Sequence, residues 1–242
     1  MGKKLSVILP SYNTPNLIDN LIEIREVVKE ITPQYEIILV NDGSIEFPPI
    51  VQNEYIKVIT NNKNMGKGYS LIKAFKKAQG EIICFIDSDL QIPALTLRGY
   101  YKIMRGSRYP DILIGSKRHY NSKIDYPLLR RVYSFGFQTM NRLMFGLKLL
   151  DTQTGVKFFK KDVLKDILPE LRINGFAIDL EILSLAQMKG YKILEAPVHI
   201  NESFSSTINI KAVLKMLIDS IKIWWRFKFN ILKGGKKWKK IK

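Results

Sequence analysis

Apolar residues fall into two rhythms along this 242-residue chain. Short β-rich runs, LSVIL (5–9), YEIILV (35–40), YIKVIT (55–60), EIICFI (81–86) and DILIG (111–115), are bounded by Pro, Asn, Asp or Gly, as strands are. Between them, NLIDNLIEIREVVKEI (16–31), GYSLIKAFKKAQG (68–80) and PALTLRGYYKIMR (93–105) repeat apolar residues at helical spacing. Asn16 stands where a cap is expected, and Gly80 where the second helix should stop. Strands alternating with helices predict an α/β fold: a mostly parallel central sheet with helices on both faces.

Open parallel sheets bind ligands beyond the carboxyl ends of their strands. Four predicted strands end in polar motifs: PSYN, NDGS, NNKNMGKG and DSDLQ. The pattern brings these four loops to one edge. In the last, Asp87 and Asp89 follow a buried strand in a chain of net charge +17. Neighbouring carboxylates raise one another's pKa unless a cation joins them. A hard divalent metal, Mg or Mn, is the natural cation, bound by oxygen and shared with a phosphate. The plainer alternative makes Asp89 a helix cap and Asp87 a solvated loop residue. Asp42 can accept hydrogen bonds from a base or ribose, or simply form a turn with its neighbours. The stretch from Asn64 to Gly68 lacks the Walker spacing, and reads as a helix start whose amides and Lys67 face an anion.

Composition narrows the class. Hydrophobic residues at 46% and charged residues at 25% are ordinary for a folded domain. Cys84 is single, so it forms no internal disulfide, and with only His119 and His199 beside it no zinc site. No 18-residue window is free of charge, so no bilayer-spanning segment is expected. The five-residue apolar stretch near the start is too short for a signal peptide. MGKKLS matches a myristoylation pattern, but the strand from Leu5 follows too closely to favour it.

The charge is uneven. Residues 211–242 hold eleven Lys or Arg and one Asp, which points to an anionic surface as partner. Lys211, Lys215, Asp219, Lys222 and Arg226 form one polar stripe, with Leu214, Leu217, Ile218, Ile221, Trp224 and Trp225 filling much of the rest. The expected organisation is a catalytic domain over 1–206, an amphipathic interfacial helix over 207–232 and a lysine-rich tail over 233–242. A second amphipathic stretch, 126–150, could pack the core or face lipid. Together these predict a peripheral protein on the cytoplasmic face of a membrane, with no nucleic-acid partner; oligomeric state is not readable.

In order, PSYN, VNDGS, NMGKG and DSDLQIP resemble the motifs of family 2 glycosyltransferases, which have the GT-A (nucleotide-diphospho-sugar transferase) fold. IGSKRH (114–119), DTQTGVKFF (151–159) and GFAIDLEIL (175–183) are similar to the polyprenyl-phosphate branch, the dolichyl-phosphate β-glucosyltransferases above all and the mannose synthases next. The resemblance implies a nucleotide-sugar donor, with UDP-glucose favoured over GDP-mannose. It implies that Pro10, Tyr12, Thr14 and Asp42 line the nucleobase and ribose pocket, with Lys67 on the donor. Asp87, Ser88, Asp89 and Gln91 would hold metal and diphosphate, with Asp87, Asp89 and Gln91 as the metal set. Relatives usually carry Glu at the position of Thr14, Asp at that of Asn41, and GSR where this chain has GSKR.

A lipid phosphate acceptor needs no general base, because with a second pKa of about 6 it is largely ionised. It needs cations, and Lys117, Arg118, Arg130 and Arg131 supply them; arginine's fork matches phosphate. Asp151 and Gln153 are expected to shape the acceptor side. Asp179 and Glu181 are the candidate bases should the acceptor be a hydroxyl, or the acids of a helix start. The competing readings are transfer to a sugar hydroxyl and, in another class, a non-enzymatic basic adaptor. The adaptor gives no reason for the acidic pair.

Overall fold

The structure is a computed structural model that describes residues 2–107, 109–122, 128–200 and 210–232, with side chains except at 128–135, 210 and 230–232. The five predicted strands form, within a residue or two at each end: β1 (Leu5–Ser11), β2 (Tyr35–Asn41), β3 (Ile56–Thr60), β4 (Ile82–Ile86) and β5 (Ile112–Ser116). Two more, β6 (Val156–Lys160) and β7 (Ile193–Pro197), escaped the pattern. In β6 a lysine interrupts the apolar run, and β7 holds Glu195 and Pro197 in five residues.

The sheet order is β3-β2-β1-β4-β6-β5-β7. Every pairing is parallel except those of β6, which runs antiparallel to both β4 and β5. This reversal matters for the site. Ile86, the last residue of β4, is in register with Val156, the first of β6. The loop before β6 therefore arrives at the edge that the loops after β1, β2 and β4 share.

Helices α1 (Leu17–Ile31), α2 (Lys67–Phe75) and α3 (Thr96–Arg105) connect the early strands; α4 (Leu128–Phe145), α5 (Lys161–Ile167), α6 (Ile178–Lys189) and α7 (Ile210–Leu232) follow. Successive strand residues point to opposite faces, so β4 feeds two cores. Ile82, Cys84 and Ile86 pack with Leu21, Ile24 and Leu97 of α1 and α3. Ile83 and Phe85 pack with Leu71 of α2, Leu164 of α5, Ile182 of α6 and Phe227 of α7. Cys84 is a buried core thiol, as expected, and burial pushes its pKa up.

Three local expectations are corrected. Asn16 makes no side-chain cap; it turns the chain in a left-handed conformation (φ 52°) and its carbonyl accepts from Asn20 N. Helix α2 ends at Phe75, not Gly80. Gly80 instead lies against the backbone of Leu5 and Ser6, where a Cβ would overlap main-chain atoms. Asp219 does not belong to a solvated stripe: it is 8% exposed, on the side of α7 that packs inward with Ile223 and Phe227. On the opposite side Leu214, Ile218, Ile221, Trp225 and Phe229 are exposed. The tail 233–242 lies outside the described residues. Among those described, no helix is long and apolar enough to cross a membrane.

Candidate active site

Strand β4 delivers the acidic pair. Asp87 N donates to Gly155 O at 2.9 Å, which splices the end of β4 to the loop before β6. A Cβ on Gly155 would overlap the Asp87 carboxylate, so the glycine of DTQTG makes the room that Asp87 occupies. Between Asp89 and Gln91 the chain turns through Leu90, buried yet at φ 48°. A bulky residue takes that conformation at a cost of about 1–3 kcal/mol, a strain that functional loops often hold. Gln91 donates through N (3.3 Å) and Nε2 (3.0 Å) to the two oxygens of Asp89. Burial, and then the charge of Asp87, raise the pKa of Asp89.

Asp87 and Asp89 stand between two cavities. The wider, about 450 Å³, is lined by Pro10, Tyr12, Thr14, Asp42, Lys67 and Ser88 as well as the pair. These residues, expected from the sequence at a donor site, share this cavity, and its volume suits a small molecule. The narrower, about 180 Å³, holds Gln91, Lys117, Gln153 and Gly155 around the same two carboxylates. Arg118 lines neither cavity. The side chains of Arg130 and Arg131 lie outside the described residues.

Several of these side chains first organise the loops. Ser88 Oγ donates to Pro10 O at 2.9 Å and shares a hydrogen bond with Thr14 Oγ1 at 2.8 Å, tying the β1 and β4 loops together. Asp42, only 4% exposed, accepts from Asn61 Nδ2, Met65 N and Gly66 N at 2.8–2.9 Å. It holds NMGKG in place. The glycines there serve close approach: a Cβ on Gly66 (φ 96°) or Gly68 would overlap the carbonyl of Asn174 or Ile173. The amides of Gly68 and Tyr69 donate to Asn174 O at 2.8 and 3.2 Å. The first turn of α2 thus turns these two amides to Asn174, contrary to the sequence expectation, and from this turn it is Lys67 that brings positive charge to the cavity.

Lys67 Nζ sits 2.8 Å from Asp87 Oδ1 and 3.7 Å from Asp179 Oδ2. Burial opposes its charge, but Asp87 and then Asp179 hold its pKa above the ordinary lysine value. Behind it, fully buried Lys157 of β6 pairs with Asp179 Oδ1 at 2.8 Å and donates to Thr154 O at 2.7 Å. Both ammonium groups lie about 5 Å from the Phe85 ring centroid. Burial depresses the Lys157 pKa, and Asp179 offsets that only in part.

The candidate bases have other occupations. Asp179 is engaged by two lysines. Glu181 accepts from Arg172 N and Ile173 N at 2.9–3.1 Å and pairs with Arg226 of α7, so it anchors that helix. Asp151 is buried and accepts from Lys117 N, Gln138 Nε2, Gln153 N and Thr154 Oγ1. Burial works against its charge, yet Lys117 and these donors hold its pKa below the usual carboxylate value. It shapes the loop carrying Lys117 and Gln153 and touches neither cavity.

Residues 6–168 match the sequence model of glycosyl transferase family 2. The chain belongs to glycosyltransferase family 2. Similar proteins include the dolichyl-phosphate β-glucosyltransferase ALG5A of Trichomonas vaginalis, 32% identical over 90% of this chain and 72% of its own length. Glycosyltransferase AglD of Haloferax volcanii is 26% identical over 93% of this chain, which spans only 38% of that larger protein. A crystal structure of glucosyl-3-phosphoglycerate synthase from Mycobacterium tuberculosis, in complex with Mn2+, UDP and phosphoglyceric acid, superposes with a TM-score of 0.67. It covers 92% of this chain and 77% of its own at 16% identity, and so shares the GT-A fold.

The donor set fits a hard divalent cation. Among the described residues no third His, Cys, Asp or Glu joins Asp87 and Asp89. Two carboxylates facing a shared cavity leave coordination positions for diphosphate oxygens and water, as Mg²⁺ prefers. What the sequence missed lies around these residues: Gly155 against Asp87, Lys157 behind Asp179, Asn61 on Asp42, and the residues of α7 such as Lys215 that close the wider cavity.

Proposed function

We propose that this glycosyltransferase transfers glucose from UDP-glucose to a polyprenyl (dolichyl) phosphate, with inversion, at the cytoplasmic face of a membrane. One observation carries the reading: the acidic pair is shared between a cavity of nucleotide-sugar size and a small polar one whose cation is Lys117. Among the described residues, no Asp, Glu or His apart from that pair lines the small cavity. An acceptor reaching the anomeric carbon there meets a cation and no base, which suits a phosphate and not a sugar hydroxyl.

In this scheme Tyr12 and the Asp42-held loop bind the nucleoside, while Lys67 offsets the charge of the diphosphate. Lys117 and Gln153 orient the acceptor phosphate. One of its oxygens bonds to the anomeric carbon as the bond from that carbon to the UDP oxygen breaks. UDP leaves from the opposite face, and an α-linked donor gives a β-linked lipid sugar. A divalent metal held by Asp87 and Asp89, with Gln91 beside them, supplies charge stabilisation to the leaving diphosphate.

The exposed row on α7 supports membrane contact. Leu214, Ile218, Ile221, Trp225 and Phe229 face away from the core, flanked by exposed Lys211, Lys222 and Lys228. Apolar side chains rimmed by lysines suit an anionic bilayer surface. The purified full chain is to be assayed with UDP-glucose or GDP-mannose against polyprenyl phosphate and against sugar hydroxyls. A β-linked glucosyl lipid by NMR is expected; transfer to hydroxyls alone refutes the acceptor, and GDP-mannose preference refutes the donor. Flotation with anionic liposomes is expected to fail for Ile218→Glu/Trp225→Glu while soluble donor binding persists.

A further inference from the structure

Lys157 has no part in the chemistry above, and a fully buried ammonium needs an account. Such a charge persists only when paired and hydrogen-bonded. From Lys157 outward the charges alternate: Lys157, Asp179, Lys67, then Asp87 at the cavity, with contacts of 2.8, 3.7 and 2.8 Å. Lys67 therefore stands between two carboxylates, nearer the one that the metal requires. A divalent cation on Asp87 repels Lys67. Asp179, already in contact with Lys157, is the carboxylate it can withdraw to.

We propose that Lys67 is a resident cation that pairs Asp87 until the metal arrives and then shifts to Asp179, which Lys157 holds ready. Metal binding is thus an exchange of cations at Asp87. Lys157 and Asp179 act as positioning residues: they fix how far Lys67 can retreat and so how tightly the metal binds. The exchange explains why one buried carboxylate needs two lysines, and why a lysine interrupts the apolar run of β6. It rests on the metal reading above.

The test reads Mn²⁺ affinity by EPR on the full chain without nucleotide, apart from turnover. Lys67→Met removes the competitor, and Mn²⁺ should bind about fivefold or more tightly. Asp179→Asn removes the place of retreat, so affinity should fall by about as much. Those directions alone also follow from the simple field of each charge. The deciding measurement is therefore Asp179→Asn in the Lys67→Met background. There the exchange predicts no further change, because no lysine is left to move; a direct field effect keeps its full size and overturns the proposal. Lys157→Met removes what holds Asp179 ready, so binding should weaken in the wild-type background and stay unchanged without Lys67; a direct field effect would tighten it in both. Should that buried variant not fold, the two cavity-wall substitutions decide. A wild-type chain that binds no Mn²⁺ overturns the metal reading and the exchange together; one that binds it with additive variants overturns the exchange alone.

Discussion

Two buried carboxylates, at opposite ends of the sheet, are held in different ways. Glu36 lies near the start of β2. Its Oε1 accepts from Ser6 Oγ and Gln79 N, both at 2.6 Å, and its Oε2 from Lys57 at 2.8 Å. Ser6 Oγ in turn accepts from Gly80 N at 2.8 Å. These partners come from β1, β3 and the loop before β4, so the carboxylate binds that end of the sheet together. Asp179, on α6 beside the strand tips, is held by two lysine side chains, one of which also reaches Asp87. A carboxylate fixed by a main-chain amide and a hydroxyl has partners that cannot leave without unfolding. One fixed by flexible ammonium groups has partners that can be traded. The first arrangement suits stability, the second suits the site proposed above, where a metal and a diphosphate enter.

The comparison breaks hardest at Asp87. Asp87→Asn removes a charge from the proposed metal site while keeping size, and kcat should fall about 10³-fold. The thermal unfolding midpoint should stay near wild type, because the backbone bonds of Asp87 to Gly155 and Leu90 are kept and Asp179 remains to pair Lys67. Steady-state assay beside calorimetry checks both. A large loss of stability with modest loss of rate would place Asp87 with Glu36 and not with the site.

Next in size is Gly155→Ala. The three atoms nearest the added methyl all belong to the Asp87 side chain, so the carboxylate must swing while the strands hold. Displacing a reacting group by about 1 Å costs about 10²-fold. The variant should fold, lose about that much kcat, and require more Mn²⁺ for half-maximal rate. Unchanged metal dependence would show that Asp87 does not need its present position.

Much of this was legible beforehand, and the omissions share a cause. Strands β1, β2, β4 and β5 are near-continuous apolar runs because both faces are covered, so composition alone marks them. The loops that follow them carried the lining of the wider cavity with them. Strand β6 hid because Lys157 breaks its run, and only the partner Asp179, twenty-two residues on and across the fold, makes that lysine tolerable. The amides opening α2 looked ready for an anion, since nothing in NMGKG announces that Asn174 O will take them. The amphipathic rhythm of α7 was visible, but not which residues turn inward. Asp219 reads as polar surface until Ile223 and Phe227 dock and carry it to the cavity wall. Local pattern reveals what neighbours in sequence decide; pairing across the sheet reveals the rest.

The smallest expected effect is at Glu36. Glu36→Gln keeps the shape but weakens three hydrogen bonds, one of them to a charged partner. Lys57, 39% exposed, can turn to water, so the loss should be about 2 kcal/mol and not the larger cost of a stranded buried ion. The pH dependence fixes the cause. Burial opposes the Glu36 charge, but Lys57, Ser6 and Gln79 N together hold its folded pKa below the ordinary 4.5. A lowered folded pKa means that the native state binds its proton less readily than the unfolded chain does. The carboxylate therefore contributes its full stability above about 4.5 and loses it as pH falls through the depressed folded value. In urea titrations the gap between wild type and Glu36→Gln should be constant from neutral pH down to about 5, then close on further acidification. kcat at neutral pH should be unchanged, since Glu36 lines neither cavity. A gap that widened in acid, or a fall in kcat matching that of Asp87→Asn, would erase the distinction between a carboxylate that locks the sheet and one that trades its cations.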